Sequence, residues 1–269
     1  MKKFLFFLGS LLILLFVGIG HSPGVFADDL NDLNDLINKQ VLTGKELDDF
    51  ENAEKQNLYR SKYSVTNYAE LQSEYDKLVS DGFIGSDVTF DMYVQMATTP
   101  PPTDPVAPEF RGKTTRGLSD LLPGDFLVTN GTSFGGLTGH AGIYVGNGLV
   151  MSIQGGNYHP ATMHLMEWMY TYNKAGKWTK VYRPAGQYRP ALAAQWAMNN
   201  YNGSGYKYGI TTNIFGKNPT YCSKIVWQAY YYASAAAQVG GMKQPLIAAP
   251  YDLPNYFNNV PVHTQTWKG

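Results

Sequence analysis

The 269-residue chain carries 21 Lys/Arg and 21 Asp/Glu, a formal net charge of zero, and a single cysteine. One thiol excludes an internal disulfide framework, and the balanced charge points to no nucleic-acid partner. The charge is unevenly spread: residues 28–108 hold 16 Asp/Glu against 6 Lys/Arg, a net of −10, and residues 109–269 hold 5 against 13, a net of +8. Such asymmetry marks two regions with different partners, or with each other as partners.

The first residues, MKKFLFFLGSLLILLFVGIGHSPGVFADD, open on Lys2 and Lys3, run apolar from Phe4 to Ile19 and reach Val25 and Ala27 before Asp28. This is the pattern of a signal peptide over 1–27. Its apolar run is marginal for the ~20 residues of a bilayer span, so export with release to the cell exterior and envelope is expected, with an uncleaved anchor as the alternative. Residues 28–97 then read as an acidic helical region. Leu30, Leu33, Ile37 and Val41 recur at spacings of three and four. Thr43 with Glu46, and Asn67 with Glu70, make capping-box starts, and Thr89 caps a last helix through Met96. The apolar stripes are thin, so this region packs on something larger.

Residues 98–110 contain five prolines; they read as a linker and domain boundary, because proline removes backbone donors and favours extended chain. Beyond it the period changes to two. Strands are predicted from Asp125, His140, Gly148 and Lys180, with Asn147 and Gly148 turning the second into the third. Helices follow over 190–201, ended by Gly203, and from Thr220 to about Val239. Residues 111–269 therefore form an α+β domain with an antiparallel sheet.

Within that last helix, Thr220 after Pro219 reads as the N-cap and sets Cys222 at the second helical position. There the macrodipole and free N–H groups lower a thiol pKa below its usual ~8.5. Ile225, Val226, Ala229 and Ala233 recur on the same face, which points the sulfur at a strand; the same periodicity suits a buried structural cysteine. Of five histidines, His21 leaves with the leader and His263 sits in a polar tail. His159 and His164 flank a loop with no third ligand at metal spacing. His140 differs, because it opens a strand directly after the glycine-rich NGTSFGGLTG. Cys222 and His140 are thus the nucleophile and base candidates. No cofactor is implied, since no phosphate-binding glycine motif opens a helix.

The stretches LLPGDFLVT, GHAGIYVGNG, GYKYGI and TYCSKIVWQAY resemble the permuted branch of the NlpC-type papain-like hydrolases, the YycO-like and YiiX-like proteins, over about residues 118–257. The resemblance implies a circularly permuted papain-like antiparallel sheet packed on helices, with the histidine strand ahead of the cysteine helix. It implies that Cys222 attacks a carbonyl carbon, that His140 shuttles the proton and that helix-start N–H groups hold the oxyanion. It also implies a polar third residue on the next strand. A two-residue Asn147-Gly148 turn sets His140 opposite Gly155; a three-residue loop from Gly146 with a bulge at Gly148 sets it opposite Gln154, with Ser152 diagonal. The family requires the second register, making Gln154 the third catalytic residue and Ser152 next in line. Tyr208 and Tyr221 resemble aromatic positions lining the family's groove, and Asp125 its structural turn residue.

The expected function is a secreted cysteine amidase or endopeptidase on bacterial cell-wall peptides, with the basic domain suited to anionic peptidoglycan. The same superfamily includes lipid acyl hydrolases and acyltransferases. A catalytically silent binding module is the third reading, because neither Gln154 nor Ser152 is the histidine or glutamate often found there. The acidic helical region either docks on the basic domain and covers its groove or serves as a spacer or partner-binding region.

Overall fold

The period-two runs of the C-terminal half pair into one six-stranded antiparallel sheet in the computed structural model, which describes residues 23–61, 67–113, 115–132, 138–235 and 241–269. Most of the predicted leader and residues 133–137 of the glycine-rich loop lie outside it. The strands are β1 (Phe126–Thr129), β2 (His140–Gly146), β3 (Leu149–Ser152), β4 (Ala161–His164), β5 (Trp178–Arg183) and β6 (Val262–Lys268), in the order β4-β3-β2-β1-β5-β6.

The helices are α1 (Pro23–Gln40), α2 (Gly44–Ser61), α3 (Tyr68–Ser80), α4 (Phe90–Ala97), a single turn α5 (Pro108–Arg111), α6 (Leu165–Tyr172), α7 (Pro190–Tyr201) and α8 (Cys222–Ala235). Asn67 caps α3 by accepting the Glu70 N–H at 3.3 Å while its amide reaches the Glu70 carboxylate at 3.1 Å, and Thr89 caps α4 through the Met92 N–H. Among the described residues no helix is long and apolar enough to cross a membrane.

Strand alternation divides the core into two layers. Phe126, Val128, Ala141, Ile143 and Met151 pack under α7 and α8, whereas Leu127, Tyr144 and Val150 pack on α1 and α6. Gly142 matters to the second layer: a Cβ there would lie 2.9 Å from the Trp168 ring and 2.5 Å from the Val150 side chain. Only glycine lets α6 press this closely on β2.

The β2–β3 hairpin combines the two predicted geometries. Asn147 and Gly148, both at positive φ, form a two-residue turn between Gly146 and Leu149, and the register shifts by one between Tyr144 and Gly146. The bulge therefore lies on β2 before the turn, not at Gly148. The pairs Ile143 with Met151 and Tyr144 with Val150 continue toward His140 in line with Gln154, with Ser152 diagonal to it.

The strand β6 differs from the expected polar tail. His263, Thr264, Gln265 and Thr266 are all buried, because the N-terminal residues cover the sheet edge: Val41 bridges Trp267, and the Leu42 N–H donates to the Thr266 carbonyl at 2.9 Å. Covering an edge strand protects its unpaired backbone groups. Residues 98–110 lie along the same side, with the Asp104 carboxylate taking the Tyr182 hydroxyl at 3.2 Å and the Ala107 N–H donating to the His263 carbonyl. Acidic and basic halves meet there: Glu51 accepts from Arg111 at 2.9 and 3.0 Å, and the buried Lys180 reaches Glu54 at 2.6 Å. Ile84, Val88, Tyr93 and Met96 enter the core layer of α8.

Candidate active site

Helix α8 starts at Cys222, one residue nearer the helix end than predicted. The Tyr221 carbonyl accepts the Ile225 N–H at 3.1 Å, so Tyr221 is the cap. Thr220 cannot take that role because its backbone is committed to a bridge with Tyr208, donating to the Lys207 carbonyl and accepting the Gly209 N–H, each at 2.9 Å. This bridge fixes the chain just before the helix, and leaves the first N–H groups of α8 without helical partners. The Cys222 sulfur is buried in the core layer of α8, where the backbone N–H groups of Ala141, Ser223 and Cys222 itself favour its anion, while the Ser223 hydroxyl gives its proton to the Ala248 carbonyl and accepts from the thiol. Burial outweighs them and pushes the thiol up to about 11. The expected fall in pKa is therefore reversed: a helix terminus supplies partial charges, but a sulfur removed from water loses more solvation than they return.

Ala141, whose N–H serves the sulfur, follows His140. The His140 ring rests against Tyr172 and Trp168 of α6, with ring centroids 4.7 and 5.3 Å away. Its Nε2 lies 3.0 Å from the Ser152 hydroxyl, and that hydroxyl donates to the Ala141 carbonyl at 2.6 Å. A serine has one hydroxyl proton. With it given to Ala141, Ser152 can only accept from the ring, so Nε2 carries the hydrogen and Nδ1 keeps its lone pair. Burial pushes the imidazole down to about 3. At neutral pH the histidine is an uncharged base with a fixed tautomer, and the cysteine an uncharged thiol.

Gln154, expected as the orienting residue, does not hold the imidazole. It is half-buried in a cleft of about 100 Å³ with Ser152, Tyr158, His159 and Glu167. Both residues share the His140 face of β3, but only Ser152 also reaches the Ala141 carbonyl. Trp168 and Tyr172 were missed altogether; their signal was an aromatic pair four apart in EWMYTY, one helical turn. Tyr172 packs beside the imidazole; burial pushes its phenol up, and the charge of an ionised Cys222 adds to the shift. The thiol lies in the α8 layer and the imidazole in the α6 layer, and what links them is Ala141, which follows His140 in β2 and whose N–H serves the sulfur.

The two predicted aromatic positions separate. The Tyr221 hydroxyl accepts the Ala248 N–H at 3.0 Å and its ring is wholly buried, a structural role. Tyr208 borders a cleft of about 460 Å³ with Phe83, Tyr158, His159 and Lys207, which shares Tyr158 and His159 with the cleft over Ser152. Asp125 accepts from the Leu122 N–H and from Arg183 at 2.6 and 2.8 Å, holding the turn before β1.

A helix-start cysteine and a strand-end histidine on a six-stranded antiparallel sheet make this an α+β protein with a candidate thiol site. Residues 94–261 match the model of the LnsA-like lipoprotein N-acylation proteins, a family related to the papain-like, NlpC-type acyltransferase–hydrolase fold. The chain belongs to this acyl-transfer family. The match includes the proline-rich segment and leaves α1 to α3 outside. An uncharacterized 30.3 kDa protein of Bacillus thuringiensis is 36% identical over 147 residues, which are 52% of this chain and 54% of that relative. The chain thus spans about half the length of the curated relative it matches. No solved structure matches.

Proposed function

We propose that the protein is an exported cysteine acyltransferase that moves a fatty acyl group from a lipid ester to an amine. The family's description, lipoprotein N-acylation, supports an amine of a lipoprotein as the acceptor. The observation that carries the mechanism is the Ser152 hydroxyl bond to Ala141, which obliges Nε2 to donate and presents His140 as a base through Nδ1. In the first half-reaction Nδ1 takes the thiol proton as Cys222 attacks the ester carbonyl. The tetrahedral oxyanion is held by the free N–H groups at the start of α8. Collapse breaks the ester C–O bond, the proton passes from Nδ1 to the leaving alcohol, and a thioester remains on Cys222. In the second half the amine attacks that thioester; His140 takes a proton from the nitrogen and returns it to the departing sulfur, leaving an amide.

Burial of the pair favours transfer over hydrolysis, because a site closed to water preserves the thioester until the amine arrives. A cell-wall amidase is the second reading, favoured by the polar clefts beside Ser152 and Tyr208 and by the +8 charge of residues 109–269. The full chain, given a long-chain phospholipid and a short lipopeptide with a free α-amine, is expected to show the acyl adduct on Cys222 and then the N-acylated peptide by mass spectrometry. Cleaved peptidoglycan fragments with no adduct from lipid would establish the amidase instead.

A further inference from the structure

A groove of about 270 Å³ runs between α4 and residues 245–256, lined by Met92, Met96, Pro245, Leu246, Ile247 and Tyr256. It shares no residue with the clefts over Ser152 and Tyr208. Met92 and Met96 are four apart on one face of α4 and line it with flexible, polarizable side chains that adapt to an apolar guest. Leu246 is 62% exposed at its rim.

The groove's inner wall is tied to the thiol. Ile247 and Ala249 flank Ala248, whose N–H donates to the Tyr221 hydroxyl at 3.0 Å and whose carbonyl accepts the Ser223 hydroxyl at 2.6 Å. Tyr221 and Ser223 are the neighbours of Cys222. The other wall is tied to the imidazole's strand: the Met96 and Ala97 carbonyls accept the Thr138 hydroxyl at 3.2 and 2.8 Å, two residues before His140. Met96, Ile247 and Cys222 belong to one core layer. We infer that this groove holds the acyl chain of a long-chain acyl ester, the donor of the reaction proposed above, on which the inference rests. The remaining side chains of the lining, Gln95, Thr99 and Asp252, are polar. The separate polar clefts are left for the amine acceptor.

The test compares palmitoyl and butyryl p-nitrophenyl esters with the full chain, reading the rate of Cys222 acylation by mass. Met92→Trp, which fills the groove, and Leu246→Glu, which charges its exposed rim, are each expected to lower the palmitoyl-to-butyryl rate ratio by about tenfold or more. An unchanged ratio would overturn the inference. A second readout needs no turnover: Cys222→Ala protein is expected to bind cis-parinaric acid saturably by fluorescence, and the added Met92→Trp to weaken it about tenfold. Absence of saturable binding, or binding indifferent to Met92→Trp, also overturns it. Parinarate bound in this groove with no Cys222 adduct from either ester would break the transfer reaction and keep the acyl-chain site.

Discussion

His140 at the end of β2 and His263 on β6 are 3% and 2% exposed, and burial pushes both imidazoles down to about 3. Their partners differ. His263 is occupied at both nitrogens: Nδ1 lies 2.8 Å from the Asp104 carbonyl, and Nε2 3.0 Å from the Thr266 hydroxyl and 3.1 Å from the Gln265 carbonyl. His140 gives one nitrogen to Ser152, and the other has no hydrogen-bond partner among the described residues. A depressed pKa thus marks a buried ring in either place; what sets His140 apart is the nitrogen left without a partner among the described residues, which a base needs.

Replacing each ring by a smaller amide separates the two most widely. Cys222→Ala is expected to abolish the acyl adduct, and His140→Asn to lower kcat/KM for acyl transfer by about 10²–10⁴. His263→Asn should leave kcat/KM within about twofold and lower unfolding free energy by about 1–3 kcal/mol, because only structural hydrogen bonds are lost. Thermal melts beside the kinetics decide it. A folded His263→Asn protein as inactive as His140→Asn would remove the distinction.

The next largest effect is the pH profile of Cys222 alkylation. With the thiol pushed up to about 11 and the imidazole uncharged, the iodoacetamide rate should rise about tenfold per pH unit, hence about a hundredfold between pH 7 and 9. A rate that levels off below pH 7 would mean a thiolate–imidazolium pair at rest, and a His140 unlike His263 in charge as well as in partners.

Ser152 then tests what keeps Nδ1 open. Ser152→Ala frees the ring to take the other tautomer and should lower kcat about tenfold to a hundredfold, less than the ~10⁴ that follows removal of a charged orienting group in serine proteases. Ser152→Thr, which keeps the hydroxyl, should recover most of it. Gln154→Ala should cost less than about threefold. The reverse order would restore Gln154 as the orienting residue.

How far the sequence discloses this site follows from what a single strand or helix can encode. The strands β1, β2 and β3 and the helices α7 and α8 were legible because their apolar residues recur with the right period, and Cys222 and His140 because they stand at element ends. The helix α6 was not: its aromatic pair acquires meaning only when Gly142 lets Trp168 against the sheet. The strand β6 reads as polar because its burial comes from Val41 and Leu42, more than 200 residues away. Alternation put Ser152 and Gln154 on one face, and the choice between them rests on the Ala141 carbonyl, a backbone group no side-chain pattern displays. The thiol pKa was misjudged for the same reason, since desolvation is a property of the assembled core.

The smallest effect is the acid dependence of stability, in which the two histidines should act alike. Each has a folded pKa of about 3 against 6.5 in the unfolded chain. Between these values the unfolded chain binds the proton and the native protein does not, so stability is full above pH 6.5 and falls as the pH drops toward 3. From pH 6.5 to 5.5 the loss is about 1 kcal/mol per histidine, about 2 kcal/mol together. Denaturant unfolding across that range should show the drop in the wild-type protein, and His140→Asn and His263→Asn should each remove about half of it. If one variant removes the whole slope, the other ring is already protonated in the folded protein at pH 5.5. If that ring is His140, the resting site is charged and the neutral-base mechanism fails; if it is His263, its Nε2–H satisfies the Gln265 carbonyl and the two rings part in charge as they already do in partners.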